Sequence, residues 1–294
     1  MMTAGMVAAA ASELLLEDID ASAVMRLSDG SKWRMSTKAG AAFVKTVGVD
    51  RSSPFIVEAA GLHEIRKAQA IHVPDVWAVG TTVNLSLIAL EWLDIRRNTD
   101  VSDAMFGVQL ARLHGATAQR FGWHTDNMLG GSPQPNSWKE RWVDFFREQR
   151  LGHQLTLAAQ RVGRSDVHWL DRGWLLCDYL GELLNEHHPR PSLLHGDLWS
   201  GNRGTMPDGR PVIFDPAVYY GDREADIAMT RLFGGFGAAF YSAYEECWPT
   251  GAGAGTRSTL YNLYHVLNHF NLFGESYGQQ ARSMIDGLLS ELGH

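Results

Sequence analysis

The sequence predicts an α+β chain of two lobes. A small β-rich lobe with one main helix is expected over residues 1–92, and a larger, mostly helical lobe over residues 93–294. Three observations carry this expectation. Short apolar runs split by turn dipeptides fill residues 22–47 and 75–91. The pattern changes to helical spacing after Asp94. From residue 222 onward the chain reads as helices alone, broken by the Gly- and Ala-rich stretch 249–256.

Residues 22–47 read as strands, with Asp29-Gly30 and Ala39-Gly40 as turns. Residues 54–70 read as a helix: Pro54 suits a first turn, and Ile56, Ala59, Ala60, His63 and Ile65 partly follow a helical period. Residues 75–80 and 85–91 read as two strands, the second with the near-continuous apolar run of a buried strand. A long helix over 100–117 carries Val101, Met105, Val108, Leu110 and Leu113. Residues 122–137 form a loop rich in Gly, Pro and Asn, longer than the usual ~4–6 residues, where function often sits. Helical patterns return at 138–150 and 166–188. Strand-like Leu193-Leu194 leads into His195-Gly-Asp-Leu-Trp-Ser-Gly-Asn202, and a strand over 212–214 ends at Asp215.

A length of 294 residues suits about two domains by the loose prior of ~150 each. With 45% hydrophobic and 20% charged residues the chain is globular in composition, not disordered. The balance of 26 basic against 33 acidic residues, net −7, argues against a nucleic-acid partner, which needs a basic face. Only two cysteines occur, Cys177 and Cys247, with no CxxC pair. That excludes a zinc ribbon or disulfide scaffold and suits reduced thiols in the cytoplasm. No apolar stretch approaches the ~18 residues of a membrane span. Leu14 to Leu16 lack preceding basic residues and are followed by Glu17, Asp18 and Asp20, the reverse of a secretory signal. There is no P-loop, no Gly-x-Ser-x-Gly elbow and no His-Glu-x-x-His pair. Nothing in the sequence sets an oligomeric state.

The chemistry-bearing stretch is His195 to Asn202 followed by Asp215. Gly196 and Gly201 interrupt any helix there, so Asp197 and Asn202 share a loop. A hairpin turning at Pro207-Asp208-Gly209 can bring Asn202 and Asp215 side by side. Magnesium takes a few hard oxygens plus phosphate oxygens, and phosphoryl transfer asks for a carboxylate near the acceptor hydroxyl. The plainer alternative, that Asp197 and Asp215 cap turns, fits one aspartate better than this spaced set. Upstream, Lys45 stands at a strand end and Glu58 sits early in the predicted helix. Such a pair can present an ammonium to phosphates; alone it would be a surface bridge of little worth.

These segments resemble the fructosamine 3-kinase (ketosamine 3-kinase) family, which belongs with the aminoglycoside phosphotransferases in the protein-kinase-like fold. The resemblance runs from about residue 20 to 290. It rests on Phe43-Val-Lys45, Leu90-Glu-Trp-Leu93, Leu110-Ala-Arg-Leu-His114, Leu194 to Asn202, Val212-Ile-Phe-Asp-Pro-Ala217, Tyr220 to Ala228 and Phe233-Gly-Gly-Phe236. It implies an ATP- and magnesium-dependent phosphotransferase acting on the sugar 3-hydroxyl of a ketosamine, small or protein-bound, and leading to deglycation. Asp197 would be the catalytic base. Asn202 and Asp215 would hold magnesium. Lys45 would contact the α- and β-phosphates, positioned by Glu58. Backbone groups of Glu91 and Leu93 would read the adenine edge, and His195 would brace the catalytic loop.

One departure stands out: the family usually has a glycine-rich turn over the phosphates, whereas Leu27 to Trp33 holds a single glycine, Gly30. Trp199, between Asp197 and Asn202, is the candidate for stacking on the acceptor sugar. Trp138, Trp142 and Trp248 read as core fillers. His265 and His269 share a helix face, and packing is preferred to a metal pair. Two other readings stay open on sequence: another hydroxyl acceptor, aminoglycoside- or choline-like, and an inactive nucleotide-binding module.

Overall fold

A computed structural model describes residues 2–27, 30–49, 54–162 and 168–294. Ser28 and Asp29 of the glycine-poor turn, and residues 166 and 167 of the expected helix, lie outside the described residues. The chain opens with a helix that the sequence reading passed over, α1 (Ala4–Leu15). Its alanines favour a helix. The Thr3 hydroxyl accepts the Met6 N–H at 3.3 Å to start it, and Leu16 ends it at φ 54°.

The front lobe is an antiparallel sheet of β1 (Val24–Arg26), β2 (Lys32–Thr37), β3 (Gly40–Gly48), β4 (Val76–Thr81) and β5 (Leu85–Glu91), in the order β1-β2-β3-β5-β4. Strand alternation gives the sheet two faces. Trp33, Met35, Ala42 and Val44 lie in one cluster with Val7, Ala8 and Ala11 of α1. Phe43, Ile88 and Leu90 lie in the other, with Phe55, Ala59, Leu62 and Ile65 of α2 (Phe55–Lys67). Leu62 is 1% exposed, so Leu62→Ala is expected to cost about 2–5 kcal/mol. Lys45 therefore projects from the α2 face of the sheet, toward Glu58.

The back lobe begins with α3 (Asp100–His114), started by a reciprocal Thr99–Ser102 capping box. It packs on α8 (Ala238–Cys247) so closely that a Cβ at Gly107 would lie 2.4 Å from the Phe240 carbonyl oxygen. The 122–137 loop contains a small hairpin, β6 (Asn127–Leu129) with β7 (Ser132–Gln134). The next helix starts at α4 (Trp142–Phe145), later than the sequence pattern suggests. Phe121 and Lys139 exchange backbone hydrogen bonds of 2.9 and 2.8 Å, which hold the preceding residues extended. It runs through a π-helical segment, Phe146–Leu151, into α5 (Gly152–Val162), followed by α6 (His168–Leu183).

Two further antiparallel pairs frame the loop of interest: β8 (Ser192–Leu194) with β11 (Tyr219–Gly221), and β9 (Arg203–Thr205) with β10 (Pro211–Ile213). The second is the hairpin expected around Pro207-Asp208-Gly209. The remainder is helical: α7 (Glu224–Leu232), α8, α9 (Ala254–Phe273) and α10 (Gly278–Glu291). Trp142 is buried as expected; Trp138 and Trp248 are only half-buried, Trp138 stacked on Tyr220 and Trp248 under the Arg190 and Arg223 guanidinium groups. Among the described residues no helix is long and apolar enough to cross a membrane.

Candidate active site

Lys45, Glu58, Asp197, Asn202 and Asp215 line one cavity of about 460 Å³ between the lobes. The Lys45 ammonium donates to Glu58 Oε1 at 2.8 Å and to Asp215 Oδ1 at 2.5 Å. Burial pushes the Lys45 pKa down, but Glu58 and Asp215 together outweigh it and the net shift is upward, so the ammonium stays charged. Burial is also the main influence on Glu58, pushing it up against the pull of Lys45.

The β9–β10 hairpin does what the spacing required. The Phe214 N–H donates to the Asn202 carbonyl at 3.1 Å, which sets Asp215 next to Asn202. Asp215 has φ 56°, a left-handed backbone that aspartate tolerates better than most residues. Asn202 Nδ2 donates to the Asp197 carbonyl at 2.9 Å and to Asp197 Oδ2 at 3.1 Å. Its amide nitrogen is thereby engaged, and the group it can offer a cation is its carbonyl oxygen. Burial pushes Asp197 up to about 7, with Asn202 opposing and Asp215 and Asp226 adding to it. A carboxylate there is half-deprotonated near neutrality, where a general base works best.

The loop bearing Asp197 is held from behind by groups the sequence reading did not assign. Asp226 on α7 accepts the His195 N–H at 2.7 Å and the Gly196 N–H at 2.9 Å. His114 on α3 brings Nε2 to 3.2 Å from Asp226 Oδ2 and Nδ1 to 2.7 Å from the Tyr244 hydroxyl. Burial favours a protonated Asp226, yet His114, His195 and the Gly196 N–H outweigh it and hold its pKa below the ordinary value. His195 is fully buried; its Nε2 meets the Phe214 carbonyl at 3.0 Å and its Nδ1 accepts the Asp197 N–H at 3.2 Å. Burial lowers its pKa, so it is a neutral strut between the Asp197 and Asp215 segments. Gly196 is obligatory: φ is 81° and a Cβ would lie 2.0 Å from the Ala217 carbonyl oxygen.

A second cavity, about 330 Å³, has walls from Phe43, Leu90, Trp92, Leu93, Ile95 and Phe214. Glu91 lines it too, but the Glu91 N–H already donates to the Asp75 carbonyl at 2.8 Å. Its carboxylate turns away, accepting the Asp75 N–H at 3.2 Å and lying 3.6 Å from His72 Nε2. The Glu91 N–H is therefore committed within the front lobe.

The sequence model of the fructosamine kinase family matches residues 7–291. This chain belongs to the fructosamine kinase family. It is 47% identical over 245 residues to a probable ketoamine kinase of Synechocystis, covering 83% of this chain and 81% of the relative. It is 40% identical over 259 residues to the chloroplastic protein-ribulosamine 3-kinase of Arabidopsis thaliana, covering 87% and 78% of the two chains. The crystal structure of a putative fructosamine-3-kinase from Thermobifida fusca superposes with a TM-score of 0.86 at 32% identity, covering 97% of this chain and 98% of that one. A choline kinase of Streptococcus pneumoniae shares the protein-kinase-like fold alone, with a TM-score of 0.62 at 12% identity over 97% and 98% of the chains.

On the other side of Asp197 from Lys45, this fructosamine kinase family member has a third cavity of about 390 Å³. Trp199, Phe233, His269, Phe273 and Tyr277 supply its aromatic walls. Trp199 is 39% exposed, lies edge-on to Phe233 at 6.4 Å, and folds over Gly201, where a Cβ would meet the indole at 2.2 Å. Phe233 opens a turn with Gly234 at φ 70° and Gly235 at φ 89°. That turn is tied to the start of β9, directly after Asn202: buried Arg203 donates to Asp103 and to the Gly235 carbonyl, each at 2.8 Å. His269 Nδ1 is 2.8 Å from the His265 carbonyl, so the two histidines interact along the helix, as the packing reading expects.

Proposed function

We propose that this chain is an ATP- and magnesium-dependent kinase that phosphorylates the sugar 3-hydroxyl of ketosamines, small or protein-bound, in the cytoplasm. Residues 1–92 serve as the nucleotide-binding lobe, and residues 93–294 as the catalytic and acceptor-binding lobe. The observation that carries the reading is the position of Asp197. It lines both the cavity of Lys45, Glu58 and Asp215 and the aromatic cavity of Trp199 and Phe233. A base at that junction can take the acceptor hydroxyl proton while the phosphoryl group arrives from the Lys45 side.

Adenine would lie between the apolar walls of the 330 Å³ cavity, with the Glu91 carbonyl and Leu93 backbone at its edge. Lys45, oriented by Glu58, would meet the α- and β-phosphates. Asn202 Oδ1 and the Asp215 carboxylate are hard oxygen donors and fit magnesium, which would neutralise charge on the transferred phosphoryl group. The proton of the 3-hydroxyl would go to the Asp197 carboxylate, and the hydroxyl oxygen would form the new bond to phosphorus as ADP leaves. Trp199 would cover one face of the sugar. Both cysteines are free thiols, in keeping with a reducing compartment.

The lining of the aromatic cavity separates acceptors. Asp197 is the only carboxylate among its described lining residues. A polyammonium aminoglycoside asks for several carboxylates, whereas a ketosamine carries one amine and a sugar face. The test is ADP release from ATP with fructosamine, ribulosamine and erythrulosamine acceptors beside an aminoglycoside and choline. Turnover with a ketosamine and not with the others is expected. Turnover confined to the aminoglycoside or choline, or none at all, overturns the reading.

A further inference from the structure

The cavity of about 390 Å³ beside Asp197 is divided between polar and aromatic groups. His265 and Asn268 are buried, whereas Trp199, Phe233 and Phe273 are 39%, 44% and 65% exposed. The polar groups therefore lie at the floor and the aromatic ones at the mouth. The exposed rings are contiguous. Centroids are 6.4 Å apart from Trp199 to Phe233, 5.1 Å from Phe233 to His269, 5.5 Å from His269 to Phe273 and 6.2 Å from Phe273 to Tyr277. They form one aromatic shelf running outward from the catalytic loop. Single exposed rings are ordinary on a protein surface, but a contiguous run marks a contact surface.

A sugar alone does not account for the shelf. Its hydroxyls ask for hydrogen-bonding partners, and phenylalanine rings give none. The described residues lining the cavity include no lysine or arginine, and Asp197 is their one carboxylate, so the shelf selects by apolar contact rather than by charge. The structure of a ketosamine supplies an apolar part. Its reacting hydroxyl is on C3, and its amine nitrogen is bonded to C1. With the 3-hydroxyl at Asp197 and the phosphoryl group on the Lys45 side, the nitrogen and its substituent point to the mouth. The rings there also suit the ammonium of the amine, which is attracted to aromatic faces.

We propose that the shelf of Phe233, His269, Phe273 and Tyr277 is a subsite for the substituent on the ketosamine nitrogen. Its ligand is an alkyl chain, as in a lysine side chain or a free alkylamine of the same length. The inference rests on the ketosamine kinase reading given above and adds the part of the acceptor outside the sugar.

The test is kcat/KM of the full chain for one sugar carried on methylamine, ethylamine, propylamine and butylamine. Burying each further methylene is expected to raise kcat/KM about 2- to 4-fold, or about 10- to 50-fold from the N-methyl to the N-butyl acceptor. Phe273→Ser removes the outermost ring and should cut that ratio about 5-fold, whereas Phe273→Leu, which keeps an apolar surface, should retain most of it. The same sugar on the side chain of Nα-acetyl-lysine amide should match the N-butyl acceptor. If that acceptor falls to the N-methyl level while the N-butyl acceptor does not, the subsite stands and serves free alkylamines. A flat series in wild type, with turnover intact, overturns the inference alone. So does a ratio that Phe273→Ser leaves unchanged, including an equal loss for both acceptors, which would make the ring a general support of the site. No turnover with any ketosamine overturns the kinase reading and this inference together.

Discussion

The Lys45 ammonium lies 2.5 Å from Asp215 Oδ1, although 170 residues separate the two in sequence. The contact joins the sheet of the front lobe to the segment following β10. It also leaves Asp215 with a second carboxylate oxygen for a cation. Asp215→Ala is therefore expected to abolish the magnesium dependence of nucleotide binding, since one of very few hard ligands is lost. Nucleotide affinity measured against magnesium concentration checks this. Equal magnesium dependence in variant and wild type would leave Asp215 as a turn residue only.

Asp197→Asn keeps the shape of the side chain and removes the negative oxygen that receives the hydroxyl proton. Turnover should fall ~10²–10⁴-fold, the usual contribution of a general base, with nucleotide affinity nearly unchanged. Steady-state rates paired with nucleotide titration decide it. Turnover within a few-fold of wild type would remove Asp197 from that role.

Trp199→Ala should raise the acceptor KM and lower kcat/KM ~10- to 100-fold, by analogy with aromatic stacking worth roughly 1–3 kcal/mol, while the KM for ATP changes little. The indole also covers Gly201. If the KM values of both substrates rise together, its role is to hold the catalytic loop rather than the sugar.

His265 gives a prediction in pH. Burial, with His269 adding to it, pushes its pKa down to about 3, against an ordinary value of 6.5. Between those values the unfolded chain holds a proton that the folded chain does not. Stability from this group is complete above pH 6.5 and falls with decreasing pH, by up to about 1.4 kcal/mol per pH unit. Its Nδ1 is buried without a hydrogen-bond partner, so an apolar replacement is tolerable. Urea unfolding of His265→Leu between pH 6.5 and 4.5 should show a shallower acid slope by about that amount. Parallel slopes in variant and wild type would contradict it.

Much of the site was legible because its residues cluster in sequence. Asp197, Asn202 and Asp215 lie within one loop and one hairpin, and Pro207-Asp208-Gly209 marks the turn joining them. Glu58 was legible as a helix start; Lys45, expected at a strand end, lies inside β3, which continues three residues further to Gly48. How the site residues are supported was not legible: His114 and Asp226 stand in segments that carry the resemblance, but nothing local shows that such distant residues pair. Asp226 and His114 are separated by 112 residues, and Arg203 and Asp103 by 100. Each looks like an ordinary helix or strand residue until the fold buries it.

The 122–137 loop hid a hairpin for a related reason. β6 and β7 are three residues each, too short for a periodic signal. They are fixed by tertiary bonds: Asn127 Nδ2 to the Val218 carbonyl at 2.8 Å and Gln134 Nε2 to the Ala217 carbonyl at 3.0 Å. The aromatic walls of the 390 Å³ cavity come from three separate stretches, Trp199, Phe233 and the end of α9 with Tyr277. Trp199 and Phe233 stood in recognisable motifs; the end of α9 and Tyr277 did not.

The most direct measurement is the position of phosphate on the product, read by phosphorus–proton correlated NMR after incubation of the full chain with ATP, magnesium and a fructosamine or ribulosamine. Phosphate on the sugar 3-hydroxyl, formed one for one with ADP by wild type and lost in Asp197→Asn, is the predicted result. Phosphate on another hydroxyl, or the same product from Asp197→Asn at an undiminished rate, would contradict the account.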